Sequence, residues 1–179
     1  MNRLKEHIFM IGFMGVGKTS TSRILSKKLG VKENDTDAMI VKQEKKSIAE
    51  IFADEGEEYF RKTECEVIKK AAEMKNVVIA TGGGVVLNEQ NIENLRKTGV
   101  IFNLSPDFSV IRERLEEARK TRPLLKQDSI ENIKKRFDDR KPFYDNCDYK
   151  IKVIHGRTPR SYAMEILEIM ESRQGAEKQ

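Results

Sequence analysis

The 179-residue chain is predicted to be an α/β protein, a parallel sheet covered by helices on both faces. Three observations predict it. Apolar runs of strand length, 8–11, 77–80, 100–104 and 149–154, come at wide intervals with helical patterns between them. Residues 12–19 read Gly-Phe-Met-Gly-Val-Gly-Lys-Thr, a complete G-x-x-x-x-G-K-[ST] phosphate-binding loop. That loop follows the first apolar run and opens a helical pattern, Ile24, Leu25, Lys28 and Leu29, that ends near Gly30. Strand, glycine-rich turn and helix are the context the motif requires.

Taken in order, the first run, Ile8-Phe9-Met10-Ile11, has the composition of a parallel strand buried on both faces. A helix over 18–29 follows. Residues 32–37, Lys-Glu-Asn-Asp-Thr-Asp, occupy the place of a second strand but are too polar to read as one. Helices are expected over 47–54 and 57–74. In the second of these Phe60, Glu64, Val67, Ile68 and Ala71 have the spacing of a half-buried face. Further helices are expected over 88–97, 107–118, 128–140 and 159–172. Ser105 reads as the cap of the helix over 107–118, with Pro106 at its first position. Pro142 reads as the stop after Arg140. Residues 1–174 read as one domain of the P-loop NTPase type, and 175–179 as a disordered tail.

Composition narrows the partners. Hydrophobic residues make up 38% and charged residues 35%, so a core forms beneath a heavily charged surface. The net charge is +5, but basic residues are interleaved with acids, as in 42–50 and 112–122. That pattern suits a solvated surface with a few arginines aimed at anionic ligands rather than a nucleic-acid footprint. No apolar stretch approaches the roughly 20 residues of a membrane span. Residues 8–13 are too short for a secretory leader, so a cytoplasmic location is expected. Cys65 and Cys147 form no C-x-x-C pair, and His7 and His155 stand alone. No metal site is suggested beyond that of a nucleotide-bound Mg²⁺.

The loop carries the first chemistry. Gly12, Gly15 and Gly17 let the backbone wrap a polyphosphate and aim amide N–H groups at it, and the helix N-terminus adds partial positive charge. Lys18 would reach the β- and γ-phosphates of ATP, and the Thr19 hydroxyl would face Mg²⁺. Asp35-Thr36-Asp37 sets two carboxylates at i and i+2, which share a face on an extended chain, although Asp-x-Asp also suits a turn. Gly82-Gly83-Gly84 follows a strand, where an open parallel sheet binds its ligands, and also suits a flexible turn. Arg61, Arg122 and Arg140 each read alone as surface residues. A kinase for an anionic acceptor needs arginine in two roles, a fork for a carboxylate and a cation over the phosphates.

Together these segments resemble shikimate kinase over nearly the whole chain. The resemblance rests on Gly-Phe-Met-Gly-Val-Gly-Lys-Thr, Asp-Thr-Asp, Ser47-Ile48-Ala49-Glu50-Ile51-Phe52, Gly56-Glu57, Phe60-Arg61, Gly82-Gly83-Gly84, Arg122-Pro123-Leu124-Leu125, and Arg140 before Pro142 and Tyr144. It implies a nucleotide core, shikimate-binding helices over about 35–64 and a lid over about 119–128. It implies transfer of the γ-phosphate of ATP to the 3-hydroxyl of shikimate, in aromatic amino acid biosynthesis by way of chorismate, by a monomer. In the same family Asp37 matches the proposed base, and Lys18 and Arg122 match the groups on the transferring phosphate. Gly15, Val16, Gly17, Ser20 and Arg157 match nucleotide contacts, with Arg157 in the loop against adenine. Thr19 and Asp35 match the metal pair. Arg61 and Arg140 match the carboxylate holders, Glu64 a supporting acid, and Gly82, Gly83 and Gly84 the pocket wall.

Three positions depart from the family pattern. The segment before Asp35 is polar where the family is usually apolar. Only Lys120 and Thr121 separate Arg119 from Arg122, which makes a short lid. Thr19 stands where the family often has serine. Two other functions fit the phosphate loop: a kinase of another small polyol acid such as gluconate, and a nucleotide-binding protein without kinase activity.

Overall fold

The computed structural model describes residues 6–121 and 128–176. Five parallel strands form one sheet in the order β2-β3-β1-β4-β5: β1 His7–Ile11, β2 Lys32–Asp35, β3 Val77–Ala80, β4 Gly99–Pro106 and β5 Tyr149–Val153. β1 lies at the centre, with Met10 in register with Ala80 on one side and Phe102 on the other. Ile8, Phe9, Met10 and Ile11 are fully buried, as expected for a strand covered on both faces. Eight α-helices flank the sheet among the described residues: α1 Lys18–Leu29, α2 Thr36–Glu44, α3 Ile48–Asp54, α4 Gly56–Glu73, α5 Glu89–Arg96, α6 Phe108–Thr121, α7 Ile130–Tyr144 and α8 Pro159–Ala176. None of them is long and apolar enough to cross a membrane.

The expected α1 and β3 stand at their expected ends, and most other boundaries move by one or two residues. The expected second strand is present as β2, and polarity hid it. β2 hydrogen-bonds to β3 alone, so its other edge faces outward, where charged side chains are tolerated and discourage edge pairing. The strand stops at Asp35, whose carboxylate caps α2 by accepting from the N–H groups of Asp37 and Ala38. Asp37 is therefore helical and does not share an extended face with Asp35. α2 itself lies outside the expected elements, because only Thr36 and Ile40 are buried along it and no apolar stripe marks it.

Two local readings are corrected. Ser105 and Pro106 do not begin a helix. They continue β4, where they pair with Lys152 and Val153, and α6 starts only at Phe108. Pro142 does not stop its helix, since α7 runs on to Tyr144. In a last turn proline costs only one helical hydrogen bond. That turn is held from outside: the Tyr144 hydroxyl donates to Gly83 O at 2.5 Å and Asn103 Nδ2 donates to Tyr144 O at 3.0 Å. At the other end of the chain, α8 carries Gly175 and Ala176, placed in the tail by sequence; residues 177–179 lie outside the described residues.

Besides the main core around the sheet, Ile40, Ile51, Phe60 and Val67 form a small second cluster among α2, α3 and α4. Ser47 caps α3 through a reciprocal capping box with Glu50. This subassembly places α2 and α4 over the carboxyl end of β3.

Gly99 opens β4 against β1. A methyl group there would stand 2.5 Å from His7 O and 2.8 Å from His7 C, backbone atoms of a paired strand that cannot step aside. Gly99→Ala is expected to lower stability by about 1–3 kcal/mol, read as a reduced urea midpoint with unchanged slope.

Candidate active site

The strand ends gather the site. Met10 O, one residue before the end of β1, accepts both the Thr81 N–H at 3.0 Å and the Thr81 hydroxyl at 3.1 Å. The phosphate loop and the triple glycine therefore leave the sheet side by side. Gly12 turns at φ 145°, and a methyl group there would meet Leu104 O at 2.8 Å, so only glycine fits. Val16 is buried and anchors the loop, while Gly15 and Ser20 remain open to a ligand. Gly17, at φ 103°, caps α1 without a side chain, leaving the first amides of the helix facing outward.

Lys18 folds back over the loop, donating to Gly12 O at 2.6 Å and Phe13 O at 3.0 Å. Burial lowers its pKa to about 8, against the pull of Asp37 and Asp35 and with Arg140 adding to the fall. Thr19 Oγ1 donates to Asp35 Oδ2 at 2.8 Å, so the two expected metal groups meet. A hydroxyl and a carboxylate beside a phosphate loop are hard oxygen donors of the kind Mg²⁺ takes, and they fit that ion.

On the acceptor side Gly82 and Gly84 are packed against charged groups, and Gly83 against the Met14 N–H, Gly12 O and the Tyr144 hydroxyl. A methyl group on Gly82 would collide with Asp37 Oδ1 and lie 3.3 Å from Glu64 Oε1; one on Gly84 would collide with Arg61 Nη1. The Gly82 N–H donates to the buried Thr36 hydroxyl at 2.9 Å, which pins the start of α2 to the end of β3. Burial and Asp35 raise the Asp37 pKa, while Lys18 and Arg61 oppose the rise. Burial raises the pKa of Glu64, which is only 2% exposed, and Arg61 Nη1 holds its carboxylate at 2.8 Å. Arg61 also donates to Glu57 and lies 5.2 Å over the Phe60 ring. Burial works against its charge, but Glu64 and Glu57 outweigh it and raise its pKa. Arg140 faces the same space: its charge acts on Lys18, Glu64 and Tyr144.

Arg157 lies in the loop before α8, stacked 5.0 Å from the Tyr162 ring and paired with Glu165 at 2.6 Å. Arg122 lies outside the described residues, as does most of the expected lid. The described ends of that segment are joined, since Arg119 Nη2 donates to Asp128 O and Arg136 donates to Asp128 Oδ2 at 2.8 Å.

Two residues were not foreseen. Arg114 on α6 donates to Gly15 O at 3.2 Å and to Val16 O at 2.8 Å, so it belongs to the phosphate loop across 98 residues of chain. It sits in a run of alternating charges, and nothing local distinguishes it. Tyr144 donates to Gly83 O within reach of the Arg140 charge, and burial pushes its hydroxyl up to about 12, so it stays a proton donor. Its place two residues past Pro142 was visible, but its role was not.

The family model described as shikimate kinase matches residues 14–171. A shikimate kinase of Caldicellulosiruptor saccharolyticus is 45% identical over 147 residues, 82% of this chain and 85% of that one. A shikimate kinase of Thermodesulfovibrio yellowstonii is 43% identical over 167 residues, 93% of this chain and 95% of that one. The structure of shikimate kinase from Acinetobacter baumannii in complex with shikimate superposes with a TM-score of 0.84 at 32% identity, covering 94% of each chain.

Lys18 provides a pH test. Below its pKa of about 8 the lysine is charged whether or not phosphate is bound. Above it the free protein must take up a proton to bind, because phosphate stabilises the ammonium. ADP affinity should therefore fall as pH rises past that value, by at most about tenfold per pH unit. Calorimetry in buffers of different ionisation enthalpy should show the proton uptake. Lys18→Met should bind weakly with no such uptake.

Proposed function

The chain belongs to the shikimate kinase family, and we propose that it transfers the γ-phosphate of ATP to the 3-hydroxyl of shikimate through the groups assembled at the ends of β1, β2 and β3. One observation carries the assignment of roles: Asp37 Oδ1 and Glu64 Oε1 both lie against Gly82, Arg61 holds Glu64 at 2.8 Å, and the charges of Lys18 and Arg61 both reach the Asp37 carboxylate. An acid in that position can take a proton from an acceptor whose hydroxyl faces the phosphates and whose carboxylate faces an arginine fork.

In this reading the loop amides from Gly15 to Ser20 and the ammonium of Lys18 hold the phosphates and offset charge in transfer. Lys18 exchanges its hydrogen bonds to Gly12 and Phe13 for phosphate oxygens. Thr19 and Asp35 hold Mg²⁺, which when bound screens the charge of the phosphates. Arg61 and Arg140 grip the substrate carboxylate, Glu64 fixes the fork of Arg61, and Tyr144 is held on Gly83 within reach of the Arg140 charge. Gly82, Gly83 and Gly84 let the substrate lie on backbone. Asp37 accepts the proton as the new O–P bond forms and ADP leaves. Arg157 borders the base of the nucleotide, and Arg122 comes over the phosphates from the lid. A monomer in the cytoplasm completes the reading, since every named group comes from one chain and ATP is a cytoplasmic metabolite.

The test is ADP release dependent on shikimate, with gluconate as the competing acceptor. Turnover with shikimate alone is expected. Turnover with gluconate instead, or ADP release indifferent to either, would overturn the substrate. Within that assay Asp37→Asn should lose about 10²–10⁴-fold in turnover with ATP affinity nearly unchanged. Loss of Mg²⁺–ATP binding with turnover preserved at saturation would reverse the roles of Asp35 and Asp37.

The carboxylate fork is tested separately. Arg61→Lys and Arg140→Lys keep charge but lose two-pronged geometry. Each should raise the KM for shikimate about tenfold to a hundredfold, the equivalent of one charge-assisted hydrogen bond. The KM for ATP should stay within about twofold.

A further inference from the structure

We propose that Ser22 and Glu33 are positioning residues that hold Asp35 against Thr19, so that a polar clip between β2 and α1 sets the metal pair. The inference rests on the assignment of Thr19 and Asp35 to Mg²⁺ made above. β2 reads Lys-Glu-Asn-Asp and contributes no apolar side chain to the core, so hydrophobic packing does not fix its distance from α1. Among the described residues its sheet partner is β3, which itself packs against α1, so the backbone ladder places the strand and the side-chain contacts place its carboxylates.

What does bind β2 to α1 is a pair of hydroxyl–carboxylate contacts. Thr19 Oγ1 donates to Asp35 Oδ2 at 2.8 Å. One turn further along the helix, the Ser22 hydroxyl lies 3.1 Å from Glu33 Oε1 and 3.0 Å from Thr19 O, and its one proton is shared between them. Helix and strand run in opposite senses here, so Thr19 meets Asp35 and Ser22 meets Glu33; i to i+2 covers about 6.7 Å of strand and i to i+3 about 4.5 Å of helix axis, and the longer Glu33 side chain spans the difference. Glu33 and Asp35 thus point to the same side of the strand, as alternation requires. Ser22 is fully buried, and Glu33 is half-buried. Beside them a cavity of about 790 Å³, lined also by Arg23 and Lys42, opens this face to water. In that setting the hydroxyls of Thr19 and Ser22 supplement the Asp37 and Ala38 N–H groups that also hold Asp35.

The clip acts on Asp35 more than on Asp37. The start of α2 is pinned separately by the Gly82 N–H to the Thr36 hydroxyl. Loosening Ser22–Glu33 should therefore disturb the metal pair and spare the acceptor pocket. Outer groups that orient metal ligands typically change metal affinity by about tenfold or more when removed.

The experiment measures Mn²⁺ binding to the ADP complex by electron paramagnetic resonance, alongside metal-free ADP binding by calorimetry and the KM for shikimate. Ser22→Ala and Glu33→Leu are expected to weaken Mn²⁺ by on the order of tenfold, with the other two values within about twofold. Ser22→Ala introduces a good helix former, so the fold should survive. Glu33→Gln keeps an acceptor for Ser22 without charge and should retain most of the Mn²⁺ affinity. If Glu33→Gln loses as much as Glu33→Leu while Ser22→Ala loses nothing, the effect of Glu33 is its field and the clip is refuted. Equal weakening of Mn²⁺, metal-free ADP and shikimate would mean a general loosening and would also refute it. Asp35→Asn separates the layers: unchanged Mn²⁺ affinity there overturns the metal assignment itself, whereas loss there with wild-type behaviour in Ser22→Ala overturns the clip alone.

Discussion

The Met10 carbonyl is the point on which the site turns. It lies one residue before the end of the central strand and accepts two hydrogen bonds from Thr81, one from backbone and one from hydroxyl. Through it the phosphate loop after β1 and the glycines after β3 are held next to each other in a fully buried setting. Neither hydrogen bond can be exchanged with water there, so the separation of the two loops is rigid. The donor and acceptor halves of a transfer reaction need that rigidity, since reacting atoms must be held within a fraction of an ångström.

Around this fixed point the charges are poised against their own preferences. Burial lowers Lys18 and raises Asp37, Glu64 and Tyr144. These directions mean that burial works against the charged form of each of these groups, a pattern common where chemistry occurs. The pairs that offset it are short and local: Arg61 with Glu64 at 2.8 Å and Thr19 with Asp35 at 2.8 Å. A dianionic phosphate and an acceptor carboxylate would complete the balance, each opposite a cation already present.

Tertiary contacts also settle how elements of weak local character are used. β2 has no apolar residue and α2 no apolar stripe, yet both are placed by polar contacts to neighbours: Asp35 capping α2, Thr36 receiving Gly82, and Ser22 and Thr19 meeting the β2 carboxylates. The last turn of α7 persists past Pro142 because Gly83 and Asn103 hold Tyr144. Such elements are stable by position rather than by propensity, which is why periodicity does not announce them.

By itself the sequence determined the parts whose signal is local. An apolar run of four residues, a glycine loop with lysine and threonine, and a helical stripe such as Phe60, Glu64, Val67 and Ile68 are each readable because backbone geometry and burial impose their spacing directly. The Asp-Thr-Asp segment, the triple glycine and the arginines were readable as chemistry once their order matched a known family. Only the tertiary structure decided that Asp35 is strand and Asp37 helix, that Ser105 and Pro106 extend β4, and that Arg114 reaches the phosphate loop from 98 residues away. The reason is physical: a hydrogen bond between distant residues depends on which elements the sheet order makes neighbours, and no window along the chain contains that information.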